Sequence, residues 1–463
     1  MRNFDCAVIG TGPAGHKAII QAAKLGKKVV AIERNAVLGG TSVNTGTIPS
    51  KALREAVLYL TGSNRRTYFG DNFRPKHNIT IADLIFFSQQ VIHNELQVIR
   101  DQFDRNNVEL IWGKAHFEGP NLLQIERPEE NELVMADKFV IAVGTRPARP
   151  ESVPFNDRTI VCSDSLLKMQ ELPKSMIIVG GGVIGVEYAC MLSTLGVRII
   201  LVEARPELLE FLDREIVEAL QYQMRQLNIT LRLGEKVSKI EENAQSGLVE
   251  ARLESGKLLQ SATLLYAVGR QGNAASLALD NIGVEFDSRG RLKVNEMFQT
   301  TLPHIYAAGD VIGFPALAST SMEQGRLAAC HAFDKPCNSV PELFPYGIYS
   351  VPEISMVGQT EKQLTDAGVP YEAGVASYKE VARGQLLGDN IGMLKLLIHQ
   401  QTRRLLGVHA IGTGATELIH IGQAVMAFNG TIDYFINSVF NYPTLAEAYK
   451  VAALNGSNKL AHV

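Results

Sequence analysis

The sequence predicts an α/β fold with two Rossmann-like dinucleotide-binding domains, because it contains two glycine-rich turns with the same spacing. The first follows the apolar run Ala7-Val8-Ile9 and reads Gly10-Thr11-Gly12-Pro13-Ala14-Gly15, with Glu33 at the end of the next apolar run. The second reads Gly180-Gly181-Gly182-Val183-Ile184-Gly185, with Glu203 in the matching place. From first glycine to acid the interval is 33 − 10 = 23 residues in one copy and 203 − 180 = 23 in the other. The chain therefore contains an internal duplication.

Each position in this pattern has a physical task. The first glycine makes the turn from strand to helix, the second lets a pyrophosphate approach the backbone, and the third lets helix and strand pack closely. The pyrophosphate then lies at the positive N-terminus of the helix, and the acid accepts hydrogen bonds from a ribose. One such turn alone could be an ordinary glycine-rich loop, but here both copies have the strands, the helix and the acid. Two dinucleotide sites are predicted, with candidate residues Gly10, Gly12, Gly15 and Glu33 in the first and Gly180, Gly182, Gly185 and Glu203 in the second.

Size and composition restrict the class of protein. At 463 residues the chain is too long for one ordinary core, so several domains are expected. Hydrophobic residues make up 46% and charged residues 20%, which is typical of a globular protein. The formal net charge of −3 argues against nucleic acid as a partner, since nucleic-acid binding needs a basic surface.

The five cysteines are scattered along the chain and odd in number. Such a set favours buried thiols in a reducing compartment over a disulfide framework, and its spacing matches no zinc site, so no metal is predicted. The most apolar stretch, 176–202, is interrupted by glycines and by Glu187, so no membrane span is predicted. The N-terminus runs into the first strand without room for a signal peptide. A cytoplasmic protein is expected.

Two further segments are residues 39–53 (GGTSVNTGTIPSKAL) and residues 300–310 (TTLPHIYAAGD). Both resemble segments of the class I pyridine nucleotide-disulfide oxidoreductase family, which includes lipoamide dehydrogenase, glutathione reductase and mercuric reductase. The resemblance implies that the first glycine turn holds FAD, that the second holds the nicotinamide nucleotide, and that Asp310 contacts the ribityl and phosphate part of FAD. On the same basis, FAD contacts are expected from Arg34, Gly39, Gly40, Thr41, Ser42, Thr47, Lys51, Ala115, Gly144, Leu317 and Ala318, and nucleotide contacts from Arg205 and Gly269.

The resemblance also implies a domain order. An FAD-binding domain is expected at 1–147 and again at 272–340, an NAD(P)-binding domain at 148–271, and a C-terminal α+β dimerisation domain at 341–463. In the last of these, strand-like runs are expected at 348–355, 392–399 and 405–411. A homodimer is expected, and a higher oligomer is left open.

Two residues are expected to take part in catalysis, Lys51 and Glu187. The family pairs the lysine that matches Lys51 with the acid that matches Glu187, close to the reactive nitrogen of the flavin. A cation there favours the negatively charged reduced flavin. Without the resemblance, Lys51 would be interpreted as a solvated helix residue.

The sulfur atoms of the family's active site are missing from this chain. Disulfide reductases carry two cysteines in the pattern GGTCxNxGCIPSK, and Ser42 and Thr47 stand at those two positions. A hydroxyl forms no disulfide and ionises far less readily than a thiol. Tyr442 stands where the family's C-terminal histidine serves the thiols, and a phenol replaces an imidazole poorly near neutral pH. Electrons are therefore expected to leave the flavin toward an acceptor other than a disulfide.

Residues 47–54, 276–279, 310–315 and 441–456 resemble the family of soluble pyridine nucleotide transhydrogenases. This implies an oxidoreductase of the Si-specific type that transfers hydride between NADPH and NAD⁺ through FAD by a ping-pong scheme. Members often retain one cysteine at the position of Ser42, which this chain lacks. Three alternatives are left open: an NAD(P)H dehydrogenase that reduces a quinone or another non-disulfide acceptor, a catalytically quiet redox sensor, and a disulfide reductase.

Nucleotide choice is expected to depend on Glu203 and Arg205. The carboxylate of Glu203 suits the free ribose hydroxyls of NAD(H) and repels the 2′-phosphate of NADP(H), by about 4 kcal/mol for a charge pair at ~4 Å and an effective dielectric constant of ~20. Arg205 could offset that repulsion by binding the phosphate. Alternatively, it is an ordinary surface arginine. We predict that both nucleotides bind, NADP(H) through Arg205.

Overall fold

The computed structural model describes residues 1–62, 79–337 and 343–460, and these residues form two compact units. Among them, unit 1 comprises residues 1–53, 82–149 and 268–337, and unit 2 comprises residues 54–62, 79–81, 150–267 and 343–460. The chain thus leaves unit 1 after Arg149 and returns to it at Val268, whereas the predicted domain boundaries lie at 147 and 271. The predicted boundary between 340 and 341 lies outside the described residues.

Helices and strands alternate along much of the chain. The α-helices are α1 (Pro13–Lys24), α2 (Gly40–Asn44), α3 (Thr47–Thr61), α4 (Ile81–Arg105), α5 (Ser163–Leu166), α6 (Val183–Thr194), α7 (Arg214–Gln226), α8 (Ala318–Ala332), α9 (Glu361–Asp366), α10 (Ala382–Leu387), α11 (Ala415–Ala427), α12 (Asp433–Asn437) and α13 (Glu447–Leu460). The strands are β1 (Arg2–Ile9), β2 (Val29–Glu33), β3 (Glu109–Trp112), β4 (Lys114–Gly119), β5 (Leu122–Glu126), β6 (Glu132–Ile141), β7 (Thr145–Pro147), β8 (Ile160–Val161), β9 (Ser175–Val179), β10 (Arg198–Glu203), β11 (Thr230–Leu233), β12 (Val237–Glu242), β13 (Val249–Leu253), β14 (Leu258–Ser261), β15 (Thr263–Tyr266), β16 (Arg270–Gly272), β17 (Ile305–Ala307), β18 (Tyr346–Ile348), β19 (Ile354–Gly358), β20 (Tyr371–Ser377), β21 (Met393–His399) and β22 (Leu405–Ile411).

Unit 1 is built on one large sheet in the order β3-β2-β1-β6-β5-β4, with β17 also paired to β6. Strand β1 runs parallel to β2 and to β6, which is the arrangement of a Rossmann-like half. Side chains of β1 alternate between two cores: Ala7 and Ile9 enter one cluster, and Cys6 and Val8 enter the other. The central strand is therefore buried on both faces, as parallel sheets require.

Unit 2 contains three sheets. A parallel sheet in the order β11-β10-β9-β15-β8 repeats the Rossmann-like arrangement, and a small antiparallel sheet consists of β12, β13 and β14. The C-terminal part forms an antiparallel sheet in the order β18-β19-β22-β21-β20. This confirms the predicted fold class, with two Rossmann-like regions and a C-terminal α+β region. No helix of the described residues is both long enough and apolar enough to cross a bilayer.

The internal duplication extends to backbone detail. Helices α1 and α6 both have 12 residues, and they begin directly after Gly12 and Gly182, which occupy the same position in the two motifs. The first glycines, Gly10 and Gly180, adopt positive φ angles of 99° and 107°, which side chains disfavour. The same turn conformation therefore recurs in both halves.

One predicted strand of the C-terminal region is wrong. The run 348–355 is divided between β18 and β19, whereas 405–411 forms β22 and 393–399 forms β21. Pro352 interrupts the run because it has no N–H to donate to a ladder. The residues before it have other partners: the Tyr349 N–H donates to the Glu187 carboxylate, and the Ser350 carbonyl accepts from Arg54.

A buried lysine lies within unit 2 among three carboxylates. The side chain of Lys395, on β21, is 1% exposed, and its Nζ lies 2.9 Å from Asp213, 2.9 Å from Glu215 and 3.1 Å from Glu361. Burial alone would raise the pKa of Asp213, but His409 and the Lys395 ammonium lower that pKa overall. The cluster thus joins β21 to the start of α7 and to the start of α9.

Replacing Lys395 by methionine is expected to lower the free energy of unfolding by about 3–5 kcal/mol, because a buried carboxylate loses its counter-ion. Since the folded-state pKa of Asp213 is lowered, its share of the stability is present above the ordinary carboxyl pKa and disappears as the pH falls through the lowered value. Urea unfolding at neutral pH checks the loss. The control is Lys362→Met, which removes an exposed pair with Asp366 and is expected to cost at most about 1 kcal/mol; equal losses would contradict the prediction.

Candidate dinucleotide-binding sites

In unit 1, the three glycines of the first turn differ in whether the surrounding protein leaves space for a side chain. A Cβ at Gly10 would overlap the Ala142 carbonyl oxygen, and a Cβ at Gly15 would overlap the Gly10 carbonyl oxygen. A Cβ at Gly12 would meet only the Gly40 Cα, at an ordinary 3.9 Å. Packing among the described residues therefore does not require a glycine at position 12.

The second turn, in unit 2, shows the same contrast. A Cβ at Gly185 would overlap the Gly180 carbonyl oxygen, whereas a Cβ at Gly182 would meet no atom within 4 Å. Gly182 precedes α6 as Gly12 precedes α1, and neither helix has a side-chain cap among the described residues. The first N–H groups of both helices are therefore available to a pyrophosphate.

This contrast predicts different consequences for two glycine substitutions in the same turn. Gly182→Ala is expected to lower kcat/KM for the nicotinamide nucleotide by about tenfold to a hundredfold, because the methyl group displaces the pyrophosphate, with little change in stability. Gly185→Ala is expected to cost about 1–3 kcal/mol of folding free energy through overpacking. Thermal unfolding and steady-state kinetics check both, and equal destabilisation by the two variants would contradict the prediction.

Glu33, at the end of β2, is held by the turn that it faces. Its Oε2 accepts hydrogen bonds from the Thr11 backbone N–H at 3.1 Å and from Thr11 Oγ1 at 2.7 Å. Its Oε1 accepts from the Asn35 backbone N–H at 3.0 Å. Glu33 is 4% exposed, so its carboxylate is fixed at the carboxyl edge of the sheet, as the ribose-binding acid of such a fold must be.

Glu203 occupies the equivalent position in unit 2 but has a charged partner. Its Oε2 accepts a 2.6 Å hydrogen bond from the Gly181 N–H, and Arg205 binds both oxygens, with Nε 3.1 Å from Oε1 and Nη2 3.2 Å from Oε2. Burial alone would raise the pKa of Glu203, but the hydrogen bonds from Arg205 and Gly181 lower that pKa overall. Glu203 is therefore a carboxylate whose charge Arg205 balances.

Asp310 belongs to a polar network of unit 1. It follows β17 and the positive-φ residue Gly309, and its Oδ2 accepts from Thr145 Oγ1 at 3.1 Å. Thr145 Oγ1 accepts in turn from Arg270 Nε at 2.8 Å, and Ser321 Oγ lies 3.4 Å from Asp310 Oδ1. The carboxylate of Asp310 is thus held between the start of β7 and α8.

The segment in which the family's disulfide enzymes have cysteines forms α2 and the start of α3 in unit 1. Ser42 lies on α2 and Thr47 is the first residue of α3; both are partly exposed. Lys51 lies one turn further along α3, partly buried, with Nζ 3.4 Å from Ser50 Oγ. Two hydroxyls therefore stand on the loop where the family's disulfide enzymes carry thiols.

Glu187, on α6 in unit 2, is 4% exposed and accepts a 2.9 Å hydrogen bond from the Tyr349 N–H. Lys51 belongs to unit 1, so its pairing with Glu187 stays a prediction. Tyr442, at the position of the family's histidine, is 73% exposed.

The remaining predicted contacts lie as follows. Ala115 is buried in β4, and Arg34 is exposed directly after β2. Gly269 belongs to unit 1 and not to the unit that contains the Gly180 turn, so its role at the nucleotide stays a prediction. Further positions predicted for FAD lie at the start of α2, at the start of α8 and at a positive-φ turn before β7: Gly39, Gly40, Thr41, Leu317, Ala318 and Gly144.

Sequence reasoning missed the residues that hold the predicted ones in place. Thr11 and Asn35 fix Glu33, Gly181 donates to Glu203, and Tyr349 donates to Glu187 through its backbone. Thr11 and Gly181 lie inside the glycine motifs, so the facing acid could have indicated them. No sequence pattern could have indicated Tyr349, because it holds Glu187 through its backbone N–H and lies 162 residues away in the sequence.

The fold thus has two Rossmann-like regions, each with a glycine-rich turn and a facing acid, which is the architecture of a protein that binds two dinucleotides. A model of the pyridine nucleotide-disulphide oxidoreductase family matches residues 4–325, and a model of that family's dimerisation domain matches residues 344–453. The chain belongs to this family, and it is a flavoprotein that uses FAD and a pyridine nucleotide.

Within this family, the chain is similar over its full length to proteins named as transhydrogenases. The chain is 52% identical over 462 residues to a protein of Mycobacterium bovis named soluble pyridine nucleotide transhydrogenase, covering 99% of this chain and 98% of the relative. It is 45% identical to a protein of the same name from Salmonella paratyphi B, covering 99% of each. Among solved structures, it is similar to the flavoprotein disulfide reductase RclA of Escherichia coli, with a TM-score of 0.87 and 26% identity over 97% of this chain and 99% of that one. LpdA of Mycobacterium tuberculosis has the same fold, with a TM-score of 0.89 at 22% identity over 98% and 99% of the two chains.

Proposed function

We propose that this protein transfers hydride between NADPH and NAD⁺ as an FAD-dependent transhydrogenase. The observation that carries the proposal is the pair of hydroxyl side chains, Ser42 and Thr47, on a loop where the disulfide-reducing members have cysteines. Without sulfur on that loop, the loop cannot supply a dithiol as the next electron carrier. The names of the full-length relatives support a second nicotinamide nucleotide as the acceptor.

The glycine turns and their acids would bind and orient the two dinucleotides. Gly12 and the N-terminus of α1 would hold the FAD pyrophosphate, with Glu33 on its ribose, and Gly182, α6 and Glu203 would do the same for the nicotinamide nucleotide. Bound FAD supplies a two-electron store, so donor and acceptor nucleotides can use one pocket in turn. The chain's own contribution is orientation of the nicotinamide ring and the electrostatic environment in which hydride moves.

Electrostatic tuning is assigned to Lys51, with Glu187 as its expected counter-ion. The ammonium of Lys51 would stabilise negative charge that develops when the flavin is reduced. Glu187 is fixed by the Tyr349 N–H, so it would position the lysine with little loss of side-chain freedom. The transfer is proposed to be Si-specific and to take place in a homodimer, for which the family's dimerisation domain is present. The buried free thiols favour a reducing compartment such as the cytoplasm.

The test is the reduction of thio-NAD⁺ by NADPH with the purified yellow protein, followed at the absorbance of the thio-NADH product. We expect turnover through a reduced flavin. We also expect NAD⁺ to reoxidise that flavin faster than a benzoquinone does. Preferential reoxidation by the quinone would replace the proposal by the NAD(P)H dehydrogenase alternative. Efficient turnover of a disulfide substrate, or a flavin that NADPH does not reduce, would contradict it.

A further inference from the structure

The C-terminal end of α8 brings together two cysteines that the proposed hydride transfer does not use. Helix α8 ends at Ala332, and the chain then reverses through Asp334, whose φ is +51°. The Lys335 N–H donates to the Cys330 carbonyl at 2.9 Å and the Asp334 N–H donates to the His331 carbonyl at 3.3 Å. These two bonds form the helix-ending arrangement in which a left-handed residue folds the chain back on the last turn. Cys337 is thereby returned to the side of Cys330.

The chain reversal makes the two thiols neighbours. The Lys335 N–H bond to the Cys330 carbonyl returns the chain, Cys337 Sγ reaches His331, the residue next to Cys330, and the Cys337 side chain acts on the Cys330 thiol as a hydrogen-bonding neighbour. The Cys330 side chain is buried, whereas Cys337 is partly exposed. Cys337 is therefore accessible to a small oxidant and has the buried Cys330 as a neighbour, which suits a reactive thiol and its resolving thiol.

Two basic side chains surround the pair. His331 Nε2 lies 3.8 Å from Cys337 Sγ, where an imidazole can accept the thiol proton. Arg326, one helical turn before Cys330, is close enough for its charge to interact with both sulfurs. Its guanidinium is held in place by Glu323, with Nε 2.9 Å from Oε2. His331 thus places a base beside the partly exposed Cys337, whereas burial and the neighbouring Cys337 raise the pKa of the Cys330 thiol.

We propose that Cys337 and Cys330 form a reversible intramolecular disulfide when the protein meets a hydroperoxide. The Cys337 thiolate attacks one peroxide oxygen, the O–O bond breaks, and hydrogen peroxide is reduced to water as Cys337 becomes a sulfenic acid. The Cys330 thiol then attacks that sulfur, an S–S bond forms, and a second molecule of water leaves. Two thiols and one hydrogen peroxide thus give one disulfide and two waters, and a dithiol reductant reverses the oxidation. The site goes beyond the proposed hydride transfer and needs none of its residues.

The test uses the intact, fully reduced holoprotein treated with hydrogen peroxide under anaerobic conditions, then denatured and alkylated. The chain has five cysteines, so a single disulfide leaves 5 − 2 = 3 alkylated thiols. The expected product has lost the mass of two hydrogen atoms and yields a peptide in which Cys330 and Cys337 are linked. Dithiothreitol is expected to restore all five thiols.

Two variants make the result specific. Cys337→Ser removes a partly exposed thiol and is expected to leave all four remaining cysteines open to alkylation after peroxide. Cys162→Ser, which removes a buried cysteine elsewhere in the chain, is expected to form the Cys330–Cys337 link as the unaltered protein does. Five free thiols after peroxide, Cys337 as a sulfinic acid beside an alkylated Cys330, or a disulfide between two chains would each overturn the proposal. The readout is mass, so its failure is distinct from a failure of thio-NAD⁺ reduction.

Discussion

Lys51→Ala is expected to slow reduction of the bound flavin by NADPH by about a hundredfold or more, which is the size of effect seen when a preorganised electrostatic donor is removed from a reacting centre. Lys51 lies on α3, directly after the loop that contains the two hydroxyls, and is partly buried. A partly buried charge is screened less than a surface charge, so its loss has a larger effect on the reduced flavin. Stopped-flow absorbance of the flavin measures the rate without interference from the second half-reaction.

Four further variants, including Glu187→Gln alone, decide whether the charge of Lys51 and its proposed pairing with Glu187 cause the effect. Lys51→Arg keeps the charge and is expected to recover much of the rate, and Lys24→Ala removes an exposed lysine at the end of α1 and is expected to change nothing. The double variant of Lys51→Ala with Glu187→Gln should lose less than the sum of the two single losses, because paired residues are not additive. A Lys51→Ala protein with full flavin content and an unaltered reduction rate would refute the assignment.

Arg205→Ala is expected to lower kcat/KM for NADPH by about 10- to 100-fold, equivalent to one lost hydrogen-bonded contact to a charged group of ~1.5–3 kcal/mol. The Arg205 side chain is 46% exposed and bound to Glu203, with Glu210 3.9 Å from Nη1. It can therefore leave one carboxylate and reach a 2′-phosphate. For NADH, whose ribose has no phosphate, kcat/KM is expected to change by less than about threefold, since Glu203 keeps its Gly181 hydrogen bond.

The measurement is steady-state kinetics with each nucleotide as donor and the same acceptor. Arg214→Ala is the matched control, because Arg214 is also an arginine of unit 2, is 78% exposed, and forms an ordinary helix pair with Glu218. It is expected to affect neither nucleotide. Equal losses for NADPH and NADH in Arg205→Ala would show that Arg205 only supports the structure around Glu203.

Much of the fold could be predicted because its main signals are local. The strand, the turn of three glycines, the helix and the acid lie within about one βαβ unit, and short-range hydrogen bonds and sterics decide their conformation. The same is true of strands such as 405–411, which the structure confirms as β22. The run 348–355 was predicted wrongly as one strand, because Pro352 interrupts it and because the backbone groups before Pro352 bond to Glu187 and Arg54, which are distant in sequence.

The candidate sites divide in the same way. Spacing indicated Glu33 and Glu203, but their environments differ in a manner that no spacing records: Glu33 is held by neutral groups, and Glu203 is paired with an arginine. In the sequence alone, Lys395 is indistinguishable from an exposed charged residue of a β-strand. The structure shows that it is buried and that its three carboxylate partners lie at the starts of α7 and α9.

By itself the sequence determined the repeated dinucleotide-binding pattern and the replacement of two thiols by Ser42 and Thr47, because both are statements about which atoms are present at a fixed spacing. Only the tertiary structure decided that Gly15 and Gly185 serve packing while Gly12 and Gly182 leave room for a ligand. It alone placed Cys337 against Cys330 and Tyr349 against Glu187. The reason is that such contacts depend on where the chain returns after a turn or a crossover, and that path is determined by the burial of the whole core rather than by neighbouring residues.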